Sequence, residues 1–193
     1  DGGQIIMNGN DSTLNGYHLT IAGSGPDGNG AIYGNVTRNY TSRNLESLSL
    51  SADATVKTAA WDGFNLRNNA GSDFPLNLCG HTLTVTGNSR FIAWRVNVQD
   101  EGRIIADISP GNNPENNCFY SHTAAFNAPL VDFVVSAGKA VGGEAPFVVS
   151  NMTFGGKWTS PNANCTLNVL GTYAPQPSAT SFPVTTLGDP DHL

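Results

Sequence analysis

The apolar residues of this chain fall in short alternating runs, each broken by glycine, asparagine, aspartate or proline. The clearest case is Phe74 to Gly87, FPLNLCGHTLTVTG. Leu76 and Leu78 alternate with polar residues, Cys79-Gly80 makes a bend, and Leu83 and Val85 alternate again before Gly87. Period-two alternation between turn residues predicts strands with one buried face. Similar runs lie at 4–7, 18–21, 31–33, 48–50, 55–58, 64–66, 76–78, 82–86, 90–94, 96–98, 103–108, 130–135, 145–149, 151–154 and 166–170. No window of a dozen residues keeps apolar positions at helical spacing without Gly or Pro intruding. The one stretch that also fits a helix, 42–50 (SRNLESLSL), runs into the alternating SLSLSADATV and so predicts strand. The chain is expected to be all-β, a single domain over 1–193.

Two stretches break the rhythm. Residues 109–117 (SPGNNPENN) hold nothing to bury and predict an exposed loop. Residues 174–183 (APQPSATSFP) carry three prolines and predict an extended segment. The last residues, 187–193, read as the start of a further strand, as in a segment of a longer chain.

One frame recurs. Leu14, Asn15, Gly16, Leu19, Thr20, Ile21 and Gly23 are echoed by Asn77, Leu78, Gly80, Leu83, Thr84, Val85 and Gly87. Gly16 and Gly80 are 64 positions apart, roughly three rungs if a rung takes about 20–25 residues. Stacked rungs at about 4.8 Å would bury aligned Leu, Val and Ile, which no rung could bury alone. About eight such rungs fit the length. The expected fold is a right-handed parallel β-solenoid. The alternative is an antiparallel β-sandwich or jelly roll, which also has short strands and frequent turns. A solenoid's terminal rungs would be open edges, suited to self-association.

The phrases LNGYHLTIAG, LSLSADATV, LCGHTLTVTG and TLNVLGTYAP resemble the repeats of autotransporter-like bacterial surface proteins. The resemblance covers roughly 14–23, 48–87 and 165–175. It implies a parallel β-helix in a secreted or surface-displayed bacterial protein, and it implies no fixed catalytic set. Adhesins, enzymes and passive stalks all occur among such proteins.

Composition narrows the partners. Only 12% of the residues are charged, about half the usual share, so uncharged polar side chains carry solubility. The net charge is −6 and the pI about 4.9, with the nine basic residues scattered. That excludes nucleic acid as the expected partner and disfavours an anionic membrane surface. No apolar run approaches the roughly 20 residues of a spanning helix. Cys79, Cys118 and Cys165 are too few for more than one internal disulfide, and their spacing does not decide whether one forms.

Candidate chemistry is thin. Asp100, Asp107 and Asp132 are the acids that neighbouring rungs could bring together, and a glycosidase needs two carboxylates about 5–10 Å apart. A lyase would add a base such as Lys139 or Arg103. Trp61, Trp158 and Tyr173 are candidates for stacking on sugar rings through their apolar faces. No zinc motif occurs, and no cofactor is implied. Calcium has one weak candidate, the turn Asp27-Gly-Asn-Gly, which lacks the rest of a calcium loop. The first expectation is a structural or adhesive segment contacting polysaccharide or host glycans. The second is a polysaccharide lyase or glycoside hydrolase, and the third a carbohydrate-binding module.

Overall fold

The computed structural model describes residues 3–9, 16–36, 45–59, 63–67, 72–110, 117–122, 124–159, 165–181 and 185–187. Every named element is a strand, and among the described residues no helix is long and apolar enough to cross a membrane. The first strands are β1 (Ile5–Gly9), β2 (Tyr17–Gly23), β3 (Ile32–Val36), β4 (Leu45–Ala59), β5 (Phe64–Leu66) and β6 (Phe74–Asn77). Next come β7 (Thr82–Gly87), β8 (Phe91–Trp94), β9 (Val96–Asn97), β10 (Gly102–Ile108), β11 (Phe119–His122) and β12 (Phe126–Val135). The last are β13 (Ala140–Gly143), β14 (Phe147–Phe154), β15 (Lys157–Thr159), β16 (Leu167–Val169), β17 (Tyr173–Pro175) and β18 (Thr185–Leu187).

These strands form a 13-stranded sheet and a five-stranded sheet, β15-β13-β11-β8-β5. All described pairings are parallel, so the antiparallel sandwich alternative fails. Parallel partners cannot be joined by tight hairpins, and the chain between them must travel away and return. Here it returns through the other strands.

The register makes columns. Ile5, Ile32, Val56, Val85, Ala106, Val135, Phe154 and Pro175 are successive ladder partners. From Ile32 to Phe154 each is buried. A second column of the same sheet carries Phe126, Phe147 and Leu167. In the five-stranded sheet the column is Phe64, Phe91, Phe119, Val141 and Trp158. All three columns feed one core. Phe119 is its hub, with ring centroids 4.9 Å from Phe91, 5.1 Å from Phe133, 5.3 Å from Phe126 and 6.1 Å from Phe147.

Local expectations met this architecture unevenly. Cys79 (φ 54°) and Gly80 (φ 80°) do form a tight turn, closed by the His81 amide donating to the Leu78 carbonyl at 2.9 Å. Positive φ at both central residues is the type I′ signature. This turn joins strands of different columns and is not a hairpin. Gly87 is needed for a second reason: at φ 122° a Cβ there would lie 1.9 Å from the Thr58 carbonyl oxygen. Residues 45–50 and 55–58 belong to one 15-residue strand, β4, whose first half pairs with β2 and β6 and whose second half pairs with β3 and β7, while 42–44 lie outside the described residues.

The repeat copies stack differently from expectation. Leu19 lies beside Leu48, and Leu48 beside Leu76, whereas Leu83 lies beside Ala54. The two look-alike phrases therefore sit in different columns. Partners in the first column are 27, 24, 29, 21, 29, 19 and 21 residues apart, a wider spread than a uniform 20–25. Within 174–183, Ala174 and Pro175 end β17 and a turn follows, with the Ala179 amide donating to the Gln176 carbonyl at 3.0 Å. The core of the expected loop, 111–116, lies outside the described residues.

Candidate functional site

Alternation turns every second side chain of β7, β10, β12 and β14 away from the core. On the outer side of the 13-stranded sheet, Thr82, Arg103, Asp132 and Asn151 are successive neighbours across these four strands. Their polar groups are linked. The Arg103 guanidinium lies 3.8 Å from the Asp132 carboxylate. The Asn151 amide donates to the other Asp132 oxygen at 2.8 Å, and the Asn151 carbonyl accepts from the Thr172 amide at 2.8 Å.

This row floors a groove of about 460 Å³, walled by Glu101 and Leu130, which continues into a second hollow of about 290 Å³ through Arg103, Asp132 and Asn151. The wall has a structural cause. Between Ala128 and Asp132, β12 carries three residues where β14 carries one, a bulge in the ladder. A bulge re-aims side chains, and here it leaves Leu130 50% exposed. The result is an apolar lip over a row of hydrogen-bonding groups.

The three acids expected to converge do not do so. Asp100 is committed to the turn at Cys79, accepting from the Leu78 amide at 3.0 Å and the Cys79 amide at 2.5 Å. Asp107 sits four residues beyond Arg103 on β10, so it lies about 13 Å along the sheet from Asp132. That exceeds the spacing of a glycosidase pair. Lys139 is not placed as a base toward Asp132: its ammonium lies 3.6 Å from Asp107 and donates to the Ser109 hydroxyl at 3.0 Å. Asp100, Asp107 and Asp132 thus each have a partner within the chain.

Of the aromatic candidates, Trp158 is corrected. Trp158 is buried, its ring edge-on to Phe147 at 5.5 Å, so it offers no face to a sugar. Tyr173 is half-buried with its ring 6.5 Å from Phe154, and burial pushes its phenol pKa up. Trp61 lies outside the described residues. The calcium candidate is occupied by the protein's own donors. Asp27 accepts from the Asn29 backbone amide at 2.9 Å, the Asn29 side chain at 2.6 Å and Gln4 at 3.0 Å. These bonds, the Asn29 backbone first, hold its carboxyl below the ordinary range. The Lys57 ammonium donates to the Asn29 carbonyl. Among the described residues, no three His, Cys, Asp or Glu side chains gather as a metal site would require. None of the three cysteines forms a disulfide, with Cys79 exposed and Cys118 and Cys165 buried.

A second cluster went unnoticed in the sequence. On the outer side of the five-stranded sheet, Trp94 and His122 are ladder partners, with Arg67 just past the end of β5 and Glu144 just past the end of β13. The Arg67 guanidinium lies 4.1 Å from the Trp94 ring centroid. The Trp94 and His122 rings are stacked at 3.9 Å and 12°. His122 Nδ1 is 3.8 Å from one Glu144 oxygen, and the Tyr120 hydroxyl donates to the other at 2.9 Å. Arg90 lies 5.8 Å over the Tyr120 ring. The sequence did carry a signal, since Phe64-Asn-Leu-Arg, Phe91-Ile-Ala-Trp and Phe119-Tyr-Ser-His share one frame at intervals of 27 and 28 residues.

No family model, no curated protein and no solved structure matches this chain.

Proposed function

We propose that the chain is a right-handed parallel β-solenoid segment of a secreted or surface-displayed bacterial protein. Its role is structural and adhesive, and it contacts glycans through the groove beneath Leu130. The solenoid reading is supported by the unbroken parallel column from Ile5 to Pro175. The hand follows from the strong right-handed preference of parallel crossovers. The surface-protein reading rests on the autotransporter-like repeat phrases.

The observation that carries the non-catalytic role is the state of the groove. Asp132 is paired with Arg103 and accepts from Asn151, and Asp107, about 13 Å from it along the sheet, is paired with Lys139. Among Asp100, Asp107 and Asp132, no two are placed to act as acid and base on one bond. The remaining features suit binding. Leu130 offers an apolar contact for the C–H face of a pyranose, and Thr82, Arg103, Asp132 and Asn151 offer hydrogen bonds along the sheet.

The test is affinity electrophoresis against plant, algal and mucin polysaccharides, with sugar ends assayed in the same samples. Retardation without new ends is expected, and it should be reduced by Leu130→Ser. New sugar ends that disappear in Asp132→Asn would overturn the reading in favour of an enzyme. Absence of retardation on every polysaccharide would remove the adhesive half.

A further inference from the structure

The outer column of the five-stranded sheet holds an arginine in an unusual setting. Arg95 lies 3.5 Å from Asp73, and Arg103 lies 3.8 Å from Asp132. The Arg67 guanidinium instead sits over an indole, 4.1 Å from the ring centroid, and among the described residues no ion pair joins it to a carboxylate. A guanidinium laid on a ring face keeps its in-plane N–H fork available, and that fork matches a carboxylate or sulfate group in two parallel hydrogen bonds. Because Trp94 already fixes it, little side-chain freedom remains to be lost on binding.

The surroundings add positive potential. Arg90 and Arg67 both disfavour a proton on His122, acting in the same direction as its burial, while Glu144 opposes them. Glu144 is shared between His122 and Tyr120. Among the described residues, two guanidiniums thus bear on His122 and one carboxylate, Glu144, opposes them. This occurs in a chain whose net charge is −6. The field of these two arginines on an acidic protein favours an anion.

We propose that Arg67, seated on Trp94, is the recognition point of an anion site that takes a carboxylate or sulfate group, with Arg90 adding to the field and His122 beside Trp94 sensing it. The anion is either carried by an acidic glycan or free in solution. This site is separate from the groove beneath Leu130, on the other sheet, and it does not depend on the adhesive reading.

The Trp94–His122 stack provides its own reporter. An imidazolium 3.9 Å from the indole quenches its emission, so Trp94 fluorescence against pH follows His122, with a Trp94→Phe chain giving the background. Sodium sulfate, an oligogalacturonate and a sulfated oligosaccharide are each compared with chloride at matched ionic strength. A bound anion offsets the guanidinium field, so the His122 midpoint should rise by about half a pH unit or more, and saturably. Arg67→Gln should abolish the saturable response. Arg67→Lys should weaken it severalfold, because an ammonium lacks the fork. Arg103→Gln should leave it intact, as should Leu130→Ser, which separates this site from the groove. An oligosaccharide acting at tenfold lower concentration than sulfate identifies a glycan-borne anion, and equal potency identifies a free one. A midpoint that moves no more in any of the three anions than in chloride would overturn the proposal. So would an unchanged response in Arg67→Gln.

Discussion

Replacing Phe119 with alanine should be among the most damaging single changes in the core. Its side chain is fully buried, and four other phenylalanine rings lie within 6.1 Å of its centroid. Full burial of such a side chain is worth about 1.5–3 kcal/mol. Ring–ring geometry adds about 0.5 kcal/mol or more for each well-placed partner. The expected loss is about 4–5 kcal/mol, at the upper end for a phenylalanine-to-alanine change. Phe119→Leu keeps most of the volume and should lose about 1.5 kcal/mol or less. The assay is urea unfolding followed by near-ultraviolet circular dichroism, with amide hydrogen exchange on the same variants. Stacked rungs share their stability mainly with nearest neighbours. Exchange should therefore accelerate first in β8, β11, β12 and β14, which hold the partner rings or adjoin them, and least in β1 to β3. A loss below about 2 kcal/mol, outside the range for a cavity of this size, would refute the hub role. Acceleration spread evenly from β1 to β17 would refute the rung-by-rung view.

Two further outcomes follow from the titratable groups. Burial pushes the Cys118 thiol up to about 12, and Cys165 is also buried. A thiol reagent at pH 8 should therefore modify one cysteine, Cys79, in the folded protein and all three in denaturant, and two fast-reacting thiols in the native state would contradict the buried placement. His122 is held below its ordinary value of 6.5, chiefly by burial, with the arginines assisting and Glu144 opposing. As the pH falls through about 6.5, the unfolded chain takes up this proton first, so stability falls until the folded imidazole protonates as well. His122→Gln should flatten that acid-side slope, and parallel stability curves for the two proteins would sink the assignment.

The strands were legible because one face of each is buried, which imposes period two on the sequence. TLTVTG reads as a strand and is one, with Leu83 and Val85 inside and Thr82, Thr84 and Thr86 less buried. The columns were far less legible. Connections between ladder partners differ in length, so partner spacing wanders from 19 to 29 residues and blurs any fixed period. The resemblance of Leu19-Thr-Ile to Leu83-Thr-Val reflects the common needs of any strand against this core, and it does not record a shared position. The site was harder still. Asp132 and Arg103 were visible as charged residues beside apolar runs, but the lip over them depends on a bulge that places Leu130 outside. The run Leu130 to Val135 shows no mark of it. Trp158 was misjudged because its neighbours in sequence are polar, whereas its neighbours in space are Val141 and Phe147. Short strands such as β11 and β13 were missed because serine and glycine interrupt their apolar pattern. Those small residues are what the packing demands: a Cβ on Gly142 would lie 1.4 Å from the Thr159 carbonyl oxygen.

The parallel columns also set how the molecule would bear a load. Ladder hydrogen bonds point from strand to strand, across the strands and along the direction in which they stack. A pull along that direction meets the bonds of a single ladder at a time, so the stack should peel strand by strand at low force, with extension arriving in steps. A pull along the strands would instead have to shear a whole ladder at once. The long strand β4 spans two columns and ties β2 and β6 to β3 and β7 through one continuous backbone. Peeling that starts from β1 should therefore slow on reaching β4, where two ladders must open together.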